Sequence, residues 1–382
     1  MAALYIHIPF CAGKCAYCDF VSFAGRRRDT ARYLSALERE LQCRAGELAG
    51  QTVSSVYIGG GTPTYLGGAA IAHIMDWVRR WYALASDCEV SCEANPGTVS
   101  RDELALMRRA GVGRLSLGVQ AAQDELLRTI GRIHTFDAAC MAFKDARAAG
   151  FDDINLDFIY ALPGQTPGMW RETLERALEL RPEHLSLYSL ILEDGTRLKA
   201  AVDAGRLALP DEDAELEMVD IARKLLPDAC YRRYEISNYC LPGHECRHNM
   251  LYWANGEYLG LGCAAHSRLG MARLMNDDDL DGYMARVEAT GSGQADALEL
   301  TPADDAFDTL MLGTRTLDGV ALDEFAARHG RALLEALRPE LDKLVAQGLA
   351  EPDRARFRLT ERGLMLQNTV LVDIMEAFER LE

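Results

Sequence analysis

The chain has 382 residues, 49% hydrophobic and 26% charged, an ordinary globular composition that excludes disordered, collagen-like and coiled-coil chains. Lys and Arg total 41 against 58 Asp and Glu, so the net charge is −17, which argues against a general nucleic-acid binder. No run of about 18 apolar residues marks a membrane helix, and the opening MAALYIHIPF lacks the basic start of a signal peptide, so a cytoplasmic protein is expected.

The first 200 residues alternate two patterns. Short apolar or β-branched runs predict strands at Leu4–Ile8, Val53–Ile58, Cys88–Glu93, Arg114–Val119, Asp153–Ile159 and His184–Leu190. Helical periodicity fills the gaps, at Asp29–Leu48, Gly68–Tyr82, Ser100–Ala110, Gln123–Ile130, Thr135–Ala149 and Thr166–Leu180. Ser100 followed by Glu103 reads as a capping box. Such alternation predicts parallel strands with right-handed crossovers, in an open doubly wound sheet or a partial barrel. Either way, reactive groups gather at the C-terminal strand ends.

Beyond residue 200 the rhythm changes. Residues 212–226 predict an amphipathic helix, Tyr231–Gly270 reads as irregular, and Asn276–Asp281 reads as a solvated turn. From Thr301 the pattern is three helices, a short strand pair around Leu349–Leu359 and a last helix, like a small winged-helix domain. Local acidity favours a structural role for it over DNA binding. The expected division is therefore a core at 1–200, a linking region at 201–300 and a C-terminal domain at 301–382.

Eleven cysteines without a secretion signal do not predict a disulfide framework. Cys43, Cys88, Cys92, Cys140 and Cys230 are scattered singly and read as small core residues. Cys11, Cys15 and Cys18 are different: three soft ligands fall within eight residues, directly after the first strand. A structural zinc site normally takes four ligands, and no fourth stands nearby. An iron–sulfur cubane on three thiolates would leave one iron open to a small molecule.

Polar residues recur at the following strand ends. Gly59-Gly60-Gly61-Thr62-Pro63 follows the second strand and lets backbone approach a ligand closely. Glu93 ends the third strand, Gln120 the fourth and Asp157 the fifth, while Arg132 lies just past a helix. Each alone reads equally well as a cap or a surface group. Independent surface polarity rarely lines up in one layer.

The Cys-x3-Cys-x2-Cys spacing, with Tyr17 before the last cysteine, resembles the signature of radical S-adenosylmethionine (SAM) proteins. Tyr5–Cys11, Gly59–Thr64, Glu93–Gly97, Gly118–Gln120, Gly131–His134 and Leu162–Gln165 together resemble the oxygen-independent coproporphyrinogen III dehydrogenase (HemN-like) family. That resemblance covers nearly the whole chain. It implies an α/β fold, a partial (β/α)6 barrel with a C-terminal accessory domain, and a [4Fe–4S] cluster on Cys11, Cys15 and Cys18. It also implies that Tyr5, Gly60 and Glu93 contact a cluster-bound SAM. Tyr17, Gly61, Thr62, Gln120, Arg132 and Asp157 match positions that contact a second SAM in the dehydrogenase.

Three departures stand out. Phe20 occupies the place of the dehydrogenase's fourth cysteine, and only four residues precede Tyr5 where that enzyme has a long arm. The string His248-Asn249-Met250-Leu251-Tyr252-Trp253 is similar to the mark of a haem-chaperone branch of the family, whose members pass haem to respiratory acceptors. The expected function is therefore a haem chaperone that delivers haem to acceptor proteins, with a homodimer possible. The alternative is oxidative decarboxylation of coproporphyrinogen III. Histidine suits haem iron and aromatic rings suit a macrocycle, so His248 is a candidate haem-binding residue. His266 and Cys246 are further candidates. His248 reads equally as a residue whose hydrogen bonds fix a loop.

Overall fold

The structure is a computed structural model, and residues 1–381 are described. One large sheet dominates it. Its strands are β1 (Ala2–Ile8), β2 (Val53–Gly60), β3 (Leu84–Ala94), β4 (Arg114–Gln120), β5 (Asp153–Tyr160), β6 (His184–Ser189), β7 (Arg232–Arg233), β8 (Asn238–Cys240), β9 (Tyr258–Leu261), β10 (His266–Leu269), β11 (Ala272–Asn276) and β12 (Gln294–Glu299). Their spatial order is β12-β11-β10-β9-β1-β2-β3-β4-β5-β6-β8-β7. β1 to β6 run parallel in chain order, as expected for strands joined through helical crossovers.

The helices follow the sequence pattern closely. Thr30–Arg44, Gly68–Trp81, Arg101–Arg109, Asp124–Thr129, Phe136–Ala148 and Pro167–Leu180 alternate with the strands. Ser100 and Glu103 form both halves of the expected capping box. Thr135 and Thr166 cap their helices in the simpler way, each accepting from a backbone N–H three residues on.

One face of each barrel strand is apolar. Leu4, Ile6, Val56, Ile58, Leu115, Leu117, Leu156 and Leu185 pack with helix residues such as Leu37, Ile71, Met107 and Trp170 in a single core. Strand alternation sends their neighbours to the opposite face. That face carries Tyr5, His7, Ser55, Tyr57, Glu93, Ser116, Asn155, Asp157 and His184, so the barrel lumen is polar along its length.

The stretch expected as a linking region instead extends the sheet at both edges. β9 adds parallel to β1, and β10 to β12 follow antiparallel. β8 adds antiparallel to β6. The supposedly irregular Tyr231–Gly270 thus supplies four strands and the helix Arg247–Trp253. Asn276 is not a solvated turn residue: it is buried, and its amide donates to Glu40 and to the Gly262 carbonyl. Cys43 and Cys230 are exposed rather than core residues, while Cys92 is buried.

A second core, from Ala306 to Phe378, lies in the C-terminal helices. There Val320–Ala321 pairs with Arg356–Phe357, and Ala350 bridges Leu359. Among the described residues, no helix is long and apolar enough to cross a membrane.

Candidate functional site: a cavity at the strand ends

A cavity of about 360 Å3 opens at the C-terminal ends of the barrel strands. Cys11, Cys15, Tyr17 and Cys18 reach it from the loop after β1. Gly60, Gly61 and Thr62 border it from β2, Glu93 from β3, Gln120 from β4 and Asp157 from β5, with Arg132 from the loop beyond β4. The residues singled out from the sequence therefore converge here, except Tyr5 and the three haem candidates His248, His266 and Cys246.

Close approach explains the glycines. Gly60 has φ +108°, and a Cβ there would lie 2.6 Å from the His7 ring. A Cβ on Gly61 would lie 2.8 Å from the Phe10 carbonyl oxygen. Only bare backbone fits between β1, β2 and the cysteine loop.

The two carboxyls are half-buried in the cavity wall and held in place. Tyr57 donates its hydroxyl proton to Glu93 Oε1 at 3.0 Å, and the Gly60 N–H donates to Oε2 at 3.2 Å. Burial, reinforced by the Asp157 charge, pushes the Glu93 carboxyl up to about 7. Asp157 accepts from Ser116 at 2.7 Å and Asn155 at 2.8 Å, and burial raises it too. Glu93 thus has a proton equilibrium near neutrality and faces a ligand-sized space.

Arg132 ties the cavity wall together. Its guanidinium donates to the Gly118 carbonyl at 2.7 Å, to Asn95 Oδ1 at 3.0 Å and to Cys15 Sγ at 3.5 Å. Its Nε is buried and unpaired. Asn95 in turn donates to Thr62 Oγ1 at 2.8 Å, and that hydroxyl lies 3.6 Å from Cys11 Sγ. A fixed cation beside one thiol, a hydroxyl beside another and an unpaired N–H donor fit an anionic thiolate cluster with a polar ligand next to it. Among the described residues, no three His, Cys, Asp or Glu side chains converge on a point that one metal ion could fill.

Two expected site residues lie elsewhere. Tyr5 faces the lumen beneath the cavity, its hydroxyl 2.9 Å from His7 Nδ1, and does not line the cavity. His248 is 1% exposed, with Nδ1 2.9 Å from the Ser55 hydroxyl and Nε2 2.9 Å from the Tyr252 hydroxyl. Both ring nitrogens are engaged, so the His248 ring is not presented to a ligand, and the loop-fixing alternative describes it better. Cys246 is buried against Glu89, whereas His266 is exposed.

Sequence reasoning gave no role to Tyr57, Asn95 or Ser116. The signal for Tyr57 was available in the strict alternation Ser55, Tyr57, Gly59, which places it on the glycine run's face. Asn95 stands one residue before Pro96 at a strand end, where an extended backbone continues the strand into the cavity layer. Around the mouth, Phe20, Ile133 and Ile191 are 69%, 79% and 67% exposed, an apolar rim on the cavity.

Residues 5–177 match the radical SAM superfamily, and residues 300–366 match the HemN C-terminal domain. The chain is 36% identical to a Bacillus subtilis protein named heme chaperone HemW, over 97% of this chain and 98% of that one. Identity to the Escherichia coli protein of that name is also 36%, over 97% of each. A mouse mitochondrial protein, radical S-adenosyl methionine domain-containing protein 1, is 33% identical over 98% of this chain and 87% of its own length. Among solved structures, the Escherichia coli coproporphyrinogen III oxidase HemN, a radical SAM enzyme, superposes with a TM-score of 0.86 at 27% identity, covering 98% of this chain and 89% of that one. With the strand-end cavity, its three cysteines and this end-to-end similarity, the chain belongs to the HemW family of the radical SAM superfamily.

Proposed function

We propose that the protein is a haem chaperone that holds a [4Fe–4S] cluster and SAM in the strand-end cavity and hands haem to acceptor proteins. The observation that carries this reading is the match, over nearly the full length of both chains, to proteins named for that function. Cys11, Cys15 and Cys18 are the cluster ligands in this reading. Bound there, the cluster supplies an iron with an open position and a low-potential electron. Gly60 and Gly61 let SAM approach the backbone, Glu93 accepts from a ribose hydroxyl, and Arg132 balances thiolate charge. His266, exposed where His248 is enclosed, is the better candidate for the haem ligand.

A second reading, oxidative decarboxylation of coproporphyrinogen III, is favoured by the superposition on HemN and by Gln120, Arg132 and Asp157 in the cavity wall. Against it stands Phe20, an exposed apolar group where the resemblance places a fourth cysteine.

The test is a haem titration of anaerobically reconstituted protein, read at the Soret band, with His266→Ala and His248→Ala in parallel. Transfer to a haem-free membrane acceptor is then measured. One-to-one binding followed by transfer supports the chaperone. Absence of haem binding, with consumption of coproporphyrinogen given SAM and a low-potential donor, would establish the second reading instead.

A further inference from the structure

The helix Arg247–Trp253 plugs the lumen beneath the cavity. Glu89, at the start of the β3 lumen face, accepts from the backbone N–H groups of Arg247 at 3.0 Å and His248 at 3.1 Å. Glu93, four residues along the same strand and face, lines the cavity. The space between is filled by aromatic rings. His248 lies 5.2 Å from Tyr57 at an interplanar angle of 31°, and Tyr57 stacks on Tyr5 at 6.4 Å.

Tyr57 therefore has two contacts of different kinds. Its ring rests on His248, and its hydroxyl donates to Glu93 Oε1 at 3.0 Å. His248 is itself fixed at both nitrogens, by Ser55 and Tyr252. A second track reaches the same helix from the other side of the cavity. Asp157 accepts from Asn155, whose Oδ1 lies 2.7 Å from His184 Nδ1. His184 Nε2 lies 2.8 Å from the Tyr234 hydroxyl, which accepts from the Cys246 N–H at 3.2 Å. Packed interiors transmit displacement, because a side chain cannot shift without its neighbours.

We infer that His248 is a positioning residue for SAM: from the barrel floor it sets the Tyr57 ring, and through the Tyr57 hydroxyl it sets the Glu93 carboxylate. This rests on the reading that the cavity takes SAM. It gives the His248 segment a role inside the barrel that needs no haem. It also makes ligation of haem iron by His248 costly for SAM, since the ring must leave Tyr57 to reach a metal. By linkage, haem taken by His248 and SAM in the cavity would then weaken each other.

The test measures SAM affinity by equilibrium dialysis on the full chain with its cluster reconstituted. The variants are His248→Ala, His248→Phe, Tyr57→Phe and the His248→Ala/Tyr57→Phe double. Leu341→Ala in the C-terminal core serves as a destabilised control. His248→Ala and Tyr57→Phe should each weaken SAM about fivefold, and the double should be no weaker than about the worse single, as members of one chain behave. His248→Phe, which keeps a ring against Tyr57, should recover most of the affinity, and Leu341→Ala should leave it unchanged. The inference is overturned if folded His248→Ala binds SAM as the parent does. It is equally overturned if the two losses multiply in the double variant, or if Leu341→Ala weakens SAM as much. Should His248→Ala not fold, the two phenylalanine variants decide, since Tyr57→Phe must lose affinity and His248→Phe must not. A parent chain that binds no SAM would instead remove the cofactor reading itself.

Discussion

Glu89 accepts hydrogen bonds from the backbone N–H groups of Arg247 and His248, so a strand residue caps the helix that closes the barrel floor. Its Oε1 also lies 3.7 Å from Cys246 Sγ. A carboxylate suits the positive end of a helix, and these N–H groups have no partner within the helix. Glu89→Ala should therefore lower stability by about 1–3 kcal/mol. Glu89→Gln, which keeps an acceptor oxygen, should cost less. Urea unfolding of both variants checks the order; equal losses would refute the capping account.

Gly60 should tolerate no side chain. Its φ of +108° is unfavourable for other residues, and the modest Cβ of alanine would meet the His7 ring at 2.6 Å. Gly60→Ala should destabilise by about 2 kcal/mol or more. Gly13→Ala, with open space around it, should be close to neutral. Thermal unfolding of the pair gives the comparison.

The barrel was legible because its strands are apolar runs bounded by turn residues, and its helices carry their own caps. The cavity was legible because chain order puts strand ends in one layer, so Cys11, Glu93, Gln120 and Asp157 could be grouped before any distance was known. β9 to β12 were not legible. They are short, and Tyr258–Leu261 is a strand because β1 offers it a free edge, a tertiary cause that local propensity does not carry. The enclosure of His248 was not legible for a related reason. Its residue type suits a haem ligand, but nothing local reveals that its helix turns inward under Tyr57. Cys43 and Cys230 show the limit of residue averages, since cysteine is commonly buried and these two are not.

Arg132 should not be replaceable by lysine. Its planar fork reaches Gly118, Asn95 and Cys15 at once, and a lysine ammonium on a flexible stem cannot span three partners. Arg132→Lys should weaken SAM binding about tenfold, the scale of one charge-assisted hydrogen bond. Iron content after reconstitution should stay near that of the parent, because the three cysteines remain. Iron analysis alongside SAM dialysis separates the two effects; loss of iron with unchanged SAM affinity would contradict this account.

Two groups should tilt the pH dependence of stability in opposite directions. Burial lowers His248 to about 3, against 6.5 for the free side chain. Below 6.5 the unfolded chain takes up a proton that folded His248 refuses, so its contribution is present above 6.5 and is lost as pH falls toward 3. Burial, then Asp157, raises Glu93 to about 7, against 4.5. Between 4.5 and 7 the folded chain holds the extra proton, so this contribution is present at low pH and is lost as pH rises through 7. Relative to the parent, His248→Phe should therefore be better at pH 5.0 than at pH 7.5, and Glu93→Gln better at pH 7.5 than at pH 5.0. Each tilt should be on the order of 1–3 kcal/mol. Thermal midpoints of the cluster-free chains at the two pH values measure both, and tilts of the same sign would show that burial does not set these two protonation states.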